Sequence, residues 1–379
     1  MANIVAAARD LIQVVDGTDW EPARVRAAQD TMYAALDARD GDMDEAFTVL
    51  LGRLSRSRVE DGDGVAHVAI TAGALVEAGA SAHMLVDALL PKLVPVLRAA
   101  RRYADRCLDQ LEPPVAGDNE QDREDLGETM ADAALRVDGR PIPRDLFRAG
   151  MADDRPGATS LYWLGQWVRP AVAALTRDRD SLRRAIADRE LVATTRSVAD
   201  AGAHWLDVLL GVELDQTWLV LCPLEGRGFR VQVDGIADNF TLHVLLADAL
   251  GRCGIPTEHN PPELFDHLRG IVDDCPRNHI VGSFNLYDFR AAVYDVAEPS
   301  NVAQECWVWG EGNPRDVPLF EGVRTLVVGP PWARRIIGSD RTFWSLPADV
   351  QVMDELAPEE LQAVLARAAA GSDVEQLPG

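Results

Sequence analysis

Four polar residues crowd the point where an alternating run meets an amphipathic stretch: Asp234, Asp238, Asn239 and His243. A carboxylate beside an imidazole can carry general acid–base catalysis, because imidazole titrates near neutral pH. In open α/β sheets ligands gather at the carboxyl ends of strands, and Asp234 is expected to close such a strand. A simpler role competes with this one. Asp238 or Asn239 is the natural N-cap of the following helix, where a short polar side chain accepts a free backbone N–H. His243 borders the apolar stripe of residues 242, 245, 246, 249, 250 and 253, which suits a half-buried histidine equally well. No Gly-x-Ser-x-Gly elbow stands nearby to supply a nucleophile.

A second group lies in residues 305–335, which read ECWVWGEGNPRDVPLFEGVRTLVVGPPWARR. Alternation over 304–309 places Trp307 and Trp309 on one strand face, with Cys306 and Val308 on the other. Glu311 follows between glycines, then the loop residues Asn313, Pro314, Arg315 and Asp316, and Arg334, Arg335 and Arg341 come after the next strand. Ordinary strand packing with surface arginine–acid pairs accounts for this pattern. So does a loop-built cleft in which a tryptophan face, Glu311 and an arginine cluster hold an anionic or aromatic-bearing ligand. The candidate set is therefore Asp234, Asp238, His243 and Glu311 for catalysis, and Asn239, Trp309, Arg315, Asp316, Arg334 and Arg335 for ligand binding.

Cys253, His259, His267, Cys275 and His279 hold nitrogen and sulfur donors of the kind zinc takes. Helical spacing argues against a metal: Cys253 continues the 242/246/249/250 stripe, and Cys275 completes 264/268/271/272/275. Both thiols are expected in a core, and the tight ligand pairs of zinc modules are missing. Asp273 and Asp274 oppose the dipole at the end of that expected helix, which suggests contact with an arginine.

The elements that must position these groups divide the chain. Residues 1–110 are rich in Ala, Leu and Val at helical spacing. Asp42, three residues before Glu45, opens a helix to about residue 54. Small residues Ala66, Ala69, Ala72 and Gly73 suit close helix contact in 65–78, and the segment 84–111 is expected to kink or split at Pro91 and Pro95. Residues 112–132 hold eight acids against Arg123 and read as a solvated loop or linker. Tyr162, Trp163 and Trp167 share one helical face, as core residues do. From residue 217 alternation takes over, with strands expected at 217–222, 228–234, 280–286, 304–309, 323–328 and 349–353, and helices at 239–250, 261–274 and 358–370. The expected fold is α+β or α/β: a helical domain at 1–211, packed in the manner of an α-solenoid though without a fixed repeat, then an α/β domain at 212–371 and a flexible tail at 372–379.

Composition narrows the function. A net charge of −24 opposes nucleic-acid backbones and anionic membranes. Lys92 is the one lysine among 37 basic residues, so nearly every cation is a planar fork suited to carboxylates. Five cysteines without CxxC pairs fit a reducing compartment, and the first residues read as an amphipathic helix rather than a signal peptide. The leading expectation is a cytoplasmic, non-catalytic adaptor or accessory protein that binds another protein through helical surfaces and Trp-rich loops, with no cofactor, metal, nucleic acid or membrane. The alternative is an enzyme acting on an anionic small molecule by acid–base chemistry.

Overall fold

A computed structural model describes residues 3–17, 21–58, 63–111, 133–258, 260–273, 279–331, 336–338 and 340–371. The chain divides into two compact units, Met1–Leu210 and Gly211–Gly379. Its class is α+β, with helices dominating the first unit and a mixed sheet the second.

The first unit opens with α1 (Ile4–Asp16), α2 (Pro22–Asp37), α3 (Met43–Arg56), α4 (Asp63–Glu77) and α5 (Ala82–Leu108). The Asp42 side chain accepts from the Glu45 N–H at 3.0 Å, so α3 begins where the spacing placed it. Ala66, Ala69 and Ala72 are fully buried in α4, and a Cβ on Gly73 would lie 2.7 Å from Pro170 Cβ. The small residues therefore do allow close helix contact. In contrast, α5 is not split: it runs unbroken for 27 residues with Pro91 and Pro95 inside it. Both prolines are exposed, as is Asp87, so the carbonyls they leave without partners lie on the solvent side. The opposite face, from Leu85 to Cys107, is buried and holds the helix together.

A hairpin of β1 (Ala133–Val137) and β2 (Arg140–Pro143) interrupts the helices. Asp138 and Gly139 turn it with φ of 50° and 71°, the conformation that Asp-Gly favours in tight hairpins. Next come α6 (Arg144–Gly150), α7 (Arg155–Tyr162), α8 (Leu164–Leu175), α9 (Arg179–Ala187), α10 (Arg189–Arg196) and α11 (His204–Leu210). The expected aromatic face is broken here. Trp167 is buried and Trp163 half-buried, but Tyr162 is 55% exposed. Helical spacing does not carry across the junction, because α7 ends at Tyr162 and α8 starts at Leu164.

In the second unit β3 (Gln216–Cys222) and β4 (Arg227–Asp234) form a hairpin, followed by α12 (Asn239–Arg252) and α13 (Pro262–Leu268). Then come β5 (His279–Val281), β6 (Asn285–Asp288), β7 (Leu319–Phe320), β8 (Val323–Gly329), β9 (Ile336–Gly338), β10 (Asp349–Glu355) and α14 (Pro358–Gly371). The main sheet has six strands in the order β10-β4-β3-β8-β6 with β7 paired to β8; only β3 and β8 run parallel. Alternation sends Trp218, Val220 and Phe229 to the face covered by α12 and α13. Leu221 and Val327 point to the other face, with Leu361 and Val364 of α14. Two-sided burial explains why these strands read as nearly continuous apolar runs.

Two expected elements are shorter than their patterns. The helix expected at 261–274 stops at Leu268, because Gly270 turns left-handed (φ 72°) and the Ile271 N–H returns to the Asp266 carbonyl. The strand expected at 304–309 is a 3₁₀ turn at Gln304–Cys306 followed by one bridge, Trp307 to Tyr287.

Candidate functional site

Helix α12 lies against the sheet, with Leu242, Leu245, Leu246 and Leu250 buried, so its first turn is rigidly placed. Asp238 caps it. Its Oδ1 accepts from the Thr241 N–H at 2.8 Å, and its Oδ2 accepts from Thr241 Oγ1 at 3.0 Å and Thr342 Oγ1 at 2.6 Å. The last bond reaches across 104 positions to the loop that bears Trp344. The next residue does the same for a different loop. Asn239 donates its N–H to the Gly312 carbonyl at 3.1 Å and its Nδ2 to the Trp309 carbonyl at 2.8 Å. That loop approaches so closely that a Cβ on Gly310 would lie 2.2 Å from the Phe240 ring, and one on Gly312 would lie 2.8 Å from Asn239 Nδ2.

Each pinned loop presents an indole. Trp309 is 45% exposed and stacks on Trp307 at 5.2 Å and 17°, while Trp307 meets Tyr287 edge-on at 5.0 Å. Trp344 is 57% exposed, with the Arg341 guanidinium 4.8 Å from its ring centre and the His267 ring edge-on at 5.6 Å. Arg341 and His267 are themselves buried. Arg341 donates to Asp273 at 3.2 Å, which bears out the arginine contact expected for that acid, and His267 Nε2 donates to Asp340 at 2.7 Å. One face of each indole is therefore backed by a ring or a cation.

The remaining candidate residues have separate partners. His243 is 5% exposed, and its Nε2 accepts the Ser283 N–H at 3.1 Å, which leaves the proton of the neutral ring on Nδ1. Its ring packs 4.6 Å from Phe284. Asp234 ends β4, where its Oδ1 accepts the Asp215 N–H at 3.0 Å across the hairpin base. Glu311 is exposed on the Trp309 loop, and Asp316 is exposed 3.8 Å from half-buried Arg315. Arg334 and Arg335 lie outside the described residues, as do His259, Cys275 and the His279 side chain. Cys253 is half-buried against the core. Among the described residues no group of three or more His, Cys, Asp or Glu is placed to hold a metal. A cavity of about 10 Å³ beside Asp238, Thr342 and Arg341 has room for one water.

Spacing did not reveal Arg324, which donates to the carbonyls of Pro314 and Arg315 and pairs with Glu213 at 3.1 Å. Burial pushes the Glu213 carboxyl above its ordinary range against the pull of that guanidinium. Thr342, His267, Asp340, Arg341 and Trp344 were also unassigned to this region, because bonds spanning about a hundred residues leave no local pattern. Comparison of the chain with protein-family models, curated proteins and solved structures finds no match.

Proposed function

We propose that the chain is a non-catalytic adaptor or accessory protein whose second unit binds a partner protein through the Trp309 and Trp344 loops. The observation that carries this reading is the pair of clamps at the start of α12: consecutive residues, Asp238 and Asn239, each fix one loop bearing an exposed tryptophan. Tryptophans held in place before binding lose little entropy on association and are the commonest interface anchors, each worth roughly 2 kcal/mol or more. Saturation of Asp238 by three donors, engagement of His243 Nε2 by a backbone amide and a cavity of only about 10 Å³ beside Asp238 all favour binding over turnover at this turn. Glu311 and Asp316 on the exposed rim and a chain charge of −24 favour a partner surface with apolar and basic side chains.

Retention of a partner from extracts of the native cell tests this. Trp309→Ala and Trp344→Ala should each weaken retention, and the double variant should abolish it. Tyr162→Ala, an exposed aromatic of the first unit, should leave it intact. Undiminished capture by the double variant would sink the proposal.

A further inference from the structure

The opposite end of α12 forms a different kind of site. A cleft of about 410 Å³ opens between the last turns of α12 and helix α13, bordered by Thr257, Glu258 and Asn260. That volume falls within the range of small-molecule sites. Two arginines line it, yet both are engaged. Arg269 donates to Asp248 at 2.5 Å and to Asp349 at 2.8 Å, and Arg252 also pairs with Asp248. Two guanidinium groups against two carboxylates leave no net charge.

The remainder is acidic. Glu258 and Asp266 line the cleft and form no ion pair with any described residue. Asn260 is 7% exposed, and its Nδ2 makes only a 3.4 Å contact to the Glu258 carbonyl. Its Oδ1 accepts nothing from the described residues, so a nearly buried acceptor is left unfilled in the lining. The last turn of α12 adds the negative end of a helix dipole. Half-buried Phe265, with Ala247 beside it, supplies an apolar wall. Unused acceptors and uncompensated negative charge call for a ligand that donates hydrogen bonds and carries positive charge. A bare divalent cation does not fit, since no metal-holding cluster exists among the described residues.

We propose that this cleft binds a small alkylammonium compound. Glu258, Asp266 and Asn260 Oδ1 accept from its ammonium groups, and Phe265 packs against its hydrocarbon. The proposal stands independently of the tryptophan loops, which use the other end of the helix.

Titration calorimetry of the full chain at low salt with 1,4-diaminobutane tests it, with 1,4-butanediol as the uncharged analogue and glutarate as the anionic one. The diamine should bind saturably and the diol should not. Glu258→Gln combined with Asp266→Asn should weaken diamine binding at least tenfold. Glu263→Gln, an exposed acid of α13 outside the lining, should change it less than twofold. Both substitutions are isosteric and on accessible carboxylates, and a melting curve verifies each fold. Absence of saturable diamine binding to the wild type overturns the proposal, as does equal binding by the double variant. Preferential binding of glutarate would reassign the cleft to Arg252 and Arg269 and overturn it as well.

Discussion

In the first unit, buried polar groups close on near neighbours. Gln29 of α2 donates to Thr71 Oγ1 at 3.0 Å and to the His67 carbonyl at 3.3 Å, while His67 Nδ1 donates to Gln29 Oε1 at 3.1 Å. Two helices are stapled there, and the bonds stay within the bundle. In the second unit equivalent groups reach outward: Asp238 holds Thr342, Asn239 holds the Trp309 loop, and Asn285 Nδ2 donates to the Pro330 carbonyl at 2.8 Å. The contrast teaches that a polar bond in a helical core fixes register, whereas the same bond at the end of a sheet layer fixes a loop. Only the second kind presents side chains to a partner.

The comparison can be broken by substitution. Gly235 lies at the base of the α12 turn with φ 67°, and a Cβ there would fall 1.9 Å from the Pro347 carbonyl oxygen. Gly235→Ala should destabilise the second unit by roughly 4 kcal/mol, the sum of left-handed strain and overlap with backbone, read from denaturant melts. In the helical unit Gly73→Ala meets Pro170 at 2.7 Å without backbone strain, and about 2 kcal/mol is expected because helices can shift apart. If Gly73→Ala proves the more damaging, the first unit is the more rigidly packed and the contrast is reversed.

N-caps give a finer test. Asp42→Ala removes one capping bond from α3, whereas Asp238→Ala also removes the Thr342 bond. About 1 kcal/mol is expected for the first and about 2 kcal/mol for the second. Asp238→Ala should also increase quenching of Trp344 fluorescence by acrylamide, and equal losses for the two caps would remove the case for a loop clamp. The smallest effect concerns pH. Because burial raises the Glu213 carboxyl above its ordinary 4.5, its contribution to stability is fully present below that value and is lost as pH rises through the folded-state value. Glu213→Gln should flatten this decline in melts taken from pH 4 upward. A variant with the wild-type slope would show that Arg324 compensates the charge fully.

Particular residues mark how far the chain could be read. Asp42, Asp238 and the small residues of α4 announced their roles through spacing of three or four positions, which is the reach of helical neighbours. Gly270 and the Asp138-Gly139 pair carried turn signals that outweighed the apolar pattern around them, ending α13 early and inserting a hairpin into the helical unit. Trp307 and Trp309 were rightly expected on one face, although the segment is a turn and a bridge rather than a strand.

Local periodicity by itself determined the helical first part, the two-sided strands of the second and the cap of α12, because backbone hydrogen bonding and burial of alternate side chains act over a few residues. Tertiary structure alone decided that Asp238 meets Thr342, that Asn239 meets the Trp309 carbonyl, and that Arg341 and His267 back Trp344. Those contacts join segments 70 or more positions apart, and they depend on how the sheet orders its strands, which no short-range pattern encodes.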